Sequence, residues 1–197
     1  MTGGARAAFV DRDGVINDLV EDPASARPES PLRVEDVTLI PDAAAALRRL
    51  SQSGLLVVGV SNQPAAAKGK ASLEQLMAIQ ERVVDLLAEQ GARFDAFRIC
   101  LHHPRGTDSQ LTRRCDCRKP APGMLLDAAQ ELGIDLQRSW MIGDTDADVQ
   151  AGRAAGCRTA LVMQPLSAHK RSETTPPDLV VSSLADAAQR LVKEAVD

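Results

Sequence analysis

The chain has 197 residues, of which 25% are charged, and a formal net charge of −4. That length suits one domain over 1–197 with a sizeable core, and the acidic balance argues against a protein that coats nucleic acid, which needs surplus Lys and Arg on one face. No apolar run approaches the roughly 18 residues of a membrane span, and no signal-peptide-like stretch opens the chain, so we expect a cytoplasmic monomer that binds neither nucleic acid nor membrane.

Short apolar runs alternate with longer amphipathic stretches along the chain, the pattern of βαβ units around a parallel sheet and hence of an α/β fold. The first strand is expected at Ala7–Val10, followed by an extended, Pro- and acid-rich loop from Asp18 to Leu32 that arches over the strand's end. A helix over Asp42–Gln52 closes at Gly54, and a strand over Leu55–Val60 follows. Ser72 with Gln75 three residues on is a capping box that starts a helix to Gln90, its Leu76, Ile79, Val83 and Leu86 keeping a helical period as core. A strand at Phe94–Leu101 leads into an irregular insertion, about 100–118. Then come a helix at Pro122–Leu132, a strand at Ser139–Ile142, a helix at Asp146–Ala155 and a strand at Arg158–Met163. Ser167 to Pro177 reads as a mobile surface loop, before a short strand at Leu179–Val181 and a closing helix at Leu184–Val196. With aromatics at 2% and no Tyr, Ala, Val, Leu and Ile must fill the core.

The polar residues with chemical potential cluster where the strands end, which is where an open α/β sheet places its ligand crevice. Asp11 and Asp13 follow the first strand, and residues i and i+2 point the same way, so both acids can converge beside a cation that relieves their repulsion. Ser61-Asn62-Gln63 ends the second strand, Lys119 follows the insertion, and Asp144 ends the fourth strand with Asp148 a helical turn on. Together these supply what phosphate-ester hydrolysis requires. Asp11 is the candidate nucleophile, Asp13 the general acid and base, and Lys119 the balancing charge, with Ser61 and Asn62 as donors to the phosphoryl oxygens. Asp11, Asp13 and Asp144 are candidate Mg²⁺ ligands, with Asp148 as a neighbouring or alternative one.

A second metal signature is Cys100-Leu101-His102 followed by Cys115-Asp116-Cys117. Two tight pairs of thiolate and imidazole ligands joined by a loop match a closed, structural Zn²⁺ site of Cys100, His102, Cys115 and Cys117. Cys157 begins an apolar strand and reads as a buried thiol. A zinc-knuckle module for nucleic acid would need a basic, aromatic-bearing face, and the low aromatic content argues against it. A receiver-like domain phosphorylated on Asp11 would leave Asp13 without a purpose.

The segments Phe9-Val10-Asp11-Arg12-Asp13-Gly14-Val15-Ile16-Asn17, Val60-Ser61-Asn62-Gln63, Lys119-Pro120 and Gly143-Asp144 with Asp148 resemble, in order and placement, the four motifs of the haloacid dehalogenase (HAD) phosphatase superfamily. The resemblance implies a three-layer Rossmann-like fold with a parallel sheet of order 5-4-1-2-3, a Mg²⁺ cofactor, Asp11 as nucleophile and Asp13 as acid and base. The length leaves no room for a large cap domain. Within the superfamily, the zinc loop running into Cys117-Arg118-Lys119-Pro120 is similar to the heptose bisphosphate phosphatases and to the histidinol-phosphate phosphatases. That likeness carries Arg118 over as a substrate ligand, and Gln63 and Asn17 are counted with the substrate-binding residues. It implies a small phosphorylated substrate, a heptose 1,7-bisphosphate or, alternatively, histidinol phosphate or a broader range of small phosphoesters. Pro64 to Gly69 and Thr145 depart from the pattern of many relatives, which bears on the leaving group and not on hydrolysis.

Overall fold

The structure, a computed structural model, describes residues 4–22, 26–172 and 175–194. Its first strand, β1 (Ala7–Val10), is buried at every position. Because successive side chains alternate between faces, Ala8 and Val10 enter one hydrophobic cluster while Ala7 and Phe9 enter another. A strand apolar on both faces needs cover on both, and helices supply it. In chain order there follow β2 (Val20–Asp22), β3 (Arg27–Glu29), α1 (Ala43–Gln52), β4 (Leu56–Asn62), α2 (Leu73–Glu89), β5 (Ala96–Cys100) and α3 (Gly123–Leu132). The remaining elements are β6 (Trp140–Gly143), α4 (Asp146–Ala155), β7 (Arg158–Val162), β8 (Leu179–Val181) and α5 (Leu184–Glu194).

Residues of α1, α2 and α5 such as Leu47, Ile79 and Leu191 pack on the Ala8 and Val10 face. Met124 and Leu125 of α3 and Ala151 of α4 pack on the Ala7 and Phe9 face. The three layers enclose one parallel sheet of order β5-β4-β1-β6-β7-β8. Counted among the parallel strands alone, this contains the expected 5-4-1-2-3 order and adds β8 at the edge. In α2 the capping box forms as expected, the Ser72 hydroxyl accepting from Gln75 N at 3.0 Å and Ser72 N donating to the Gln75 side chain at 2.7 Å. Leu76, Ile79, Val83 and Leu87 are its buried residues, so Leu87 takes the fully buried place expected for Leu86, which packs against the cluster from the side.

The strand order turns at β1, whose neighbours are β4, next in the sheet order on one side, and β6, much later in the chain, on the other. Connections leaving β1 and β6 diverge there and leave a crevice at the carboxyl ends of the strands. Asp11 N closes the base of that crevice by donating to Ile142 O at 2.9 Å.

Two segments depart from the sequence-based reading. The arch after β1 is a short antiparallel hairpin, β2 against β3, with Val20 opposite Glu29 and Asp22 opposite Arg27; its Pro23 lies outside the described residues. The start of the expected Ser167–Pro177 loop lies in a 3-10 turn, Pro165–Lys170, in which Ser167 is fully buried and its hydroxyl donates to Asp144 O at 3.2 Å, while Glu173 and Thr174 lie outside the described residues. Arg171 adds a bond to the same carbonyl at 3.1 Å. Val196, expected to end the last helix, lies outside the described residues. Among those residues no helix is long and apolar enough to cross a membrane.

Candidate active site

The crevice floor is made of carboxylates. Asp11 follows β1, Asp144 follows β6, and Asp148 stands in the first turn of α4; one oxygen from each lies within 4.8 Å of the others. Glycine lets them approach. Gly14, at φ +85°, and Gly143 sit where an added β-carbon would collide with the carboxylates of Asp144 and Asp148 respectively. Asp148 doubles as a helix cap, its Oδ2 accepting from Thr145 N at 3.1 Å and Thr145 Oγ1 at 2.6 Å. Burial and the nearby Asp148 push the Asp11 carboxyl up to about 8, against the pull of Lys119. Burial and Asp148 likewise raise Asp144 to about 7.

Lys119 is the cation set among them. Its Nζ donates to Val60 O at 2.8 Å and is ion-paired with Asp11 Oδ1 at 2.8 Å and Asp148 Oδ1 at 2.6 Å. Burial alone would lower its pKa, but Asp11 and Asp148 hold it above the ordinary lysine value. One ammonium does not serve three acids. Asp144 Oδ1 is buried with no hydrogen-bond partner, a state that is costly for a polar atom. Hard oxygen donors around an orphaned buried carboxylate oxygen fit a divalent cation such as Mg²⁺.

Asp13 stands apart from this group. Arg12 Nη2 reaches both its oxygens at 3.1 Å, and further bonds come from Asn17 Nδ2 at 2.9 Å, Ser30 Oγ at 2.9 Å and Gln63 Nε2 at 2.5 Å. Burial works against ionisation here, but Arg12 and these donors outweigh it and keep the carboxyl below its ordinary value. The Asp13 carboxylate is thus held by four neighbouring side chains while still lining the same cavity, and the acids whose oxygens lie within 4.8 Å of one another are Asp11, Asp144 and Asp148.

The other expected site residues divide between the cavity and its supports. A cavity of about 340 Å³ is lined by Asp11, Asp13, Asn62, Arg118, Lys119 and Asp144 together with rim residues from the hairpin and adjoining turns. Asn62 clamps the Lys119 backbone, donating to Lys119 O at 3.0 Å and accepting from Lys119 N at 3.1 Å. Ser61 and Gln63 are buried and bonded to one another at 2.8 Å, and Asn17 is fully buried; these three hold Asp13 or each other and do not line this cavity. Arg118 does line it, while one of its nitrogens donates to His102 O at 3.3 Å. Arg12 and Ser30 were not singled out from sequence, although both grip Asp13. Arg12 could have been suspected from its place between two aspartates; Ser30 carries no local signal, since only the hairpin brings it back to Asp13.

Cys100, His102, Cys115 and Cys117 come together as expected, with Sγ separations of 3.0 Å, 3.3 Å and 3.6 Å and His102 Nδ1 3.3 Å from Cys117 Sγ and 3.8 Å from Cys100 Sγ. Tetrahedral zinc with bonds of about 2.3 Å spaces its ligands by roughly 3.8 Å, so four soft donors stand within a few tenths of an ångström to just under an ångström of that geometry. Burial and the neighbouring thiols raise the Cys117 thiol well above its ordinary value. A thiol so placed gives up its proton to a cation. Cys157 is buried, which pushes its thiol up to about 12.

The matches to other proteins agree with this geometry. The HAD-hydrolase-like family profile matches residues 116–187. The chain is 37% identical over 186 residues to a D-glycero-beta-D-manno-heptose-1,7-bisphosphate 7-phosphatase of Photorhabdus laumondii, covering 94% of this chain and 95% of that one. The enzyme of the same name from Rhodopseudomonas palustris is 41% identical over 150 residues, 76% of this chain and 79% of the relative. Among solved structures, a D,D-heptose 1,7-bisphosphate phosphatase from B. bronchiseptica, complexed with magnesium and phosphate, superposes with a TM-score of 0.78 at 31% identity, over 96% of this chain and 99% of that one. No large cap domain stands over the cavity among the described residues, and the chain belongs to the HAD-like phosphatases, enzymes that hydrolyse phosphoric monoesters.

Proposed function

We propose that the chain removes the 7-phosphate of a D-glycero-D-manno-heptose 1,7-bisphosphate in a Mg²⁺-dependent reaction through an aspartyl-phosphate on Asp11. The observation that carries this reading is the convergence of Asp11, Asp144 and Asp148 around an orphaned oxygen, with Lys119 held 2.8 Å from Asp11. The names of the relatives support the choice of sugar, and the magnesium and phosphate of the B. bronchiseptica structure support the choice of ion. Asp11, Asp144 and Asp148 would hold Mg²⁺, which supplies positive charge against the repulsion between carboxylate and phosphate.

Asp11 attacks phosphorus as the bond to the sugar oxygen breaks, and Asp13 gives that oxygen its proton. Asp13 then takes a proton from water, whose oxygen displaces Asp11 and releases inorganic phosphate. For both transfers Asp13 must leave the grip of Arg12, Asn17, Gln63 and Ser30, which also favours its ionised form. Leaving Arg12 raises its proton affinity, as a general acid requires. Lys119, held by Asn62 and Val60, offsets charge on the transferring group. Zn²⁺ on Cys100, His102, Cys115 and Cys117 would fix the loop that carries Arg118 and Lys119.

Steady-state turnover of the heptose bisphosphate and of histidinol phosphate by the same preparation tests the assignment. A higher kcat/KM for the heptose is expected; a higher value for histidinol phosphate overturns it.

A further inference from the structure

At the amino ends of the strands, opposite the catalytic crevice, the chain places an arginine beside three separate strand starts. Arg6 precedes β1, Arg138 ends the 3-10 turn Leu136–Arg138 that leads into β6, and Arg158 opens β7. In the sheet β6 lies between β1 and β7, so the three guanidinium groups meet at one pole of the molecule. With Gln137 they line a cavity of about 210 Å³ whose remaining lining is apolar and buried: Leu55, Trp140 and Leu191.

Ser139 fixes the backbone around this cavity. It is fully buried, its hydroxyl accepts from Ala7 N at 2.9 Å and donates to Asp135 O at 2.7 Å, and its carbonyl accepts from Arg158 N at 3.0 Å. One residue thus ties together the starts of β1, β6 and β7 and the turn that bears Arg138. Leu56 N, donating to Arg6 O at 2.9 Å, adds the start of β4. Arg158 lies over the Trp140 ring, 4.0 Å from its centroid, a cation–π contact that restricts where its guanidinium can go.

The charges at this pole are unbalanced. No acid lines the cavity among the described residues. Within those residues the guanidinium groups of Arg6 and Arg138 have no hydrogen bond or ion pair, whereas Arg98 is paired with Asp127 and Glu131, and Arg190 with Asp186. The acids of the adjoining segments are engaged elsewhere. Asp135 Oδ1 accepts from Gln137 N at 3.1 Å, and Asp178 Oδ2, within electrostatic reach of Arg153 and Arg158, accepts from Thr159 N and Oγ1 at 2.8 Å each. Like charges gathered over an apolar floor repel, and a bound anion relieves that repulsion. Guanidinium forks match the oxygens of a phosphate group, and donors converging from three sides suit a tetrahedral anion better than a planar carboxylate. A nucleic-acid backbone would instead need an extended stripe of cations.

We propose that Arg6, Arg138 and Arg158 form a binding site for a phosphate group, free or carried on a small molecule, at the pole of the sheet opposite the catalytic cavity. Five residues of extended chain at about 3.3 Å each put Arg6 roughly 16 Å from Asp11, so the site is separate from the reacting atoms. It would bind phosphate whichever ester is hydrolysed at the other pole.

Trp140 is the only tryptophan of the chain, which has no tyrosine, so intrinsic fluorescence reports from the wall of this cavity. Inorganic phosphate is titrated at constant ionic strength into the full-length enzyme, Arg6→Met and Arg138→Met. A saturable change in emission is expected for the native enzyme, with the midpoint raised at least about tenfold in each variant. An equal response to chloride, or a midpoint unchanged in both variants, overturns the site. If the emission does not respond, equilibrium dialysis with labelled phosphate decides: the native chain should bind one phosphate more than either variant, and equal stoichiometry rejects the site. Turnover of p-nitrophenyl phosphate should stay level in both variants, which shows that they are folded. Were Arg6→Met to misfold, the exposed Arg138→Met carries the same comparison. Methylphosphonate, which resembles a phosphate ester and cannot be hydrolysed, separates the two sources. Tighter binding than inorganic phosphate marks a phosphate group carried on a larger molecule, and weaker binding marks free phosphate.

Discussion

The molecule presents two groups of side chains ready for a metal, and they are built on different principles. The carboxylates Asp11, Asp144 and Asp148 are carried on the ends of β1 and β6 and the start of α4, positions that the sheet would fix without any ion. The thiols and imidazole of Cys100, His102, Cys115 and Cys117 are carried on the end of β5 and on an irregular loop outside the sheet and helices, tied to its surroundings by main-chain bonds such as Thr107 N to Ala67 O at 2.7 Å. At the first group the fold forces like charges together, and a cation would relieve the strain. At the second the ligands would hold the loop through the cation. Ligand removal should therefore have opposite consequences for stability at the two places.

The largest effect is expected from Asp11→Asn. Turnover should drop by at least about a thousandfold because the nucleophile is gone. The melting temperature of the metal-free protein should stay level or rise, since one of three crowded acids has been neutralised. Phosphate release and calorimetry on one sample measure both, and a clear drop in melting temperature would break the contrast. Cys115→Ser should act the other way round, releasing zinc and lowering the melting temperature by roughly 5–10 °C, about 2–3 kcal/mol for a chain of this size. Turnover should fall with it as Arg118 and Lys119 lose their support. Full stability and full turnover in Cys115→Ser would remove the structural zinc from the account.

A third expected effect sharpens the electrostatic side of the comparison. Asp11 at about 8 and Asp144 at about 7 lie above the ordinary carboxyl value of 3.8. In the metal-free protein the folded state thus binds protons that the unfolded chain has released, and this contribution to stability is lost as pH rises from about 4 through those two values. Mg²⁺ competes with the same protons, so the rise in melting temperature on adding Mg²⁺ should be small at pH 5 and larger at pH 8. A rise of equal size at both values would mean that these acids do not bind the ion.

The smallest effect concerns Ser30, which ties the hairpin to Asp13. Ser30→Ala removes one donor, worth about 1.5–3 kcal/mol to a charged acceptor when fully formed and less at a partly exposed residue. We expect a several-fold change in kcat and a shift of the acid limb of the pH profile to higher pH, because losing a donor makes ionised Asp13 less favourable. An unchanged acid limb would show that the hairpin does not act through Asp13.

Much of the site was legible because it depends on local spacing. Asp11 and Asp13, the Asn62 that ends β4, and Asp144 with Asp148 all follow apolar runs that can only be buried strands, and strand ends are where an open sheet gathers its ligands. The two Cys and His pairs were legible for the same reason, since ligands two residues apart on a turn already face one ion. What failed to show were directions. Nothing in the local spacing showed that the Asp13 carboxylate would be gripped by Arg12, Asn17 and Gln63. The same holds for Ser61 and Gln63, which end a strand at the crevice and nevertheless turn their side chains to each other and to Asp13.

The alternation of buried runs and amphipathic helices, with the acids and thiols in their order, was determined by the sequence alone. Periodicity and short-range geometry act within a few residues and need no knowledge of the whole. Tertiary structure decided how distant segments meet. It set Ser30 against Asp13, buried Ser167 beneath Asp144, and gathered Lys68, Arg118 and Lys170 at one rim from turns that lie far apart in the chain. Such meetings depend on the summed packing of the sheet and its helices, which no local pattern encodes.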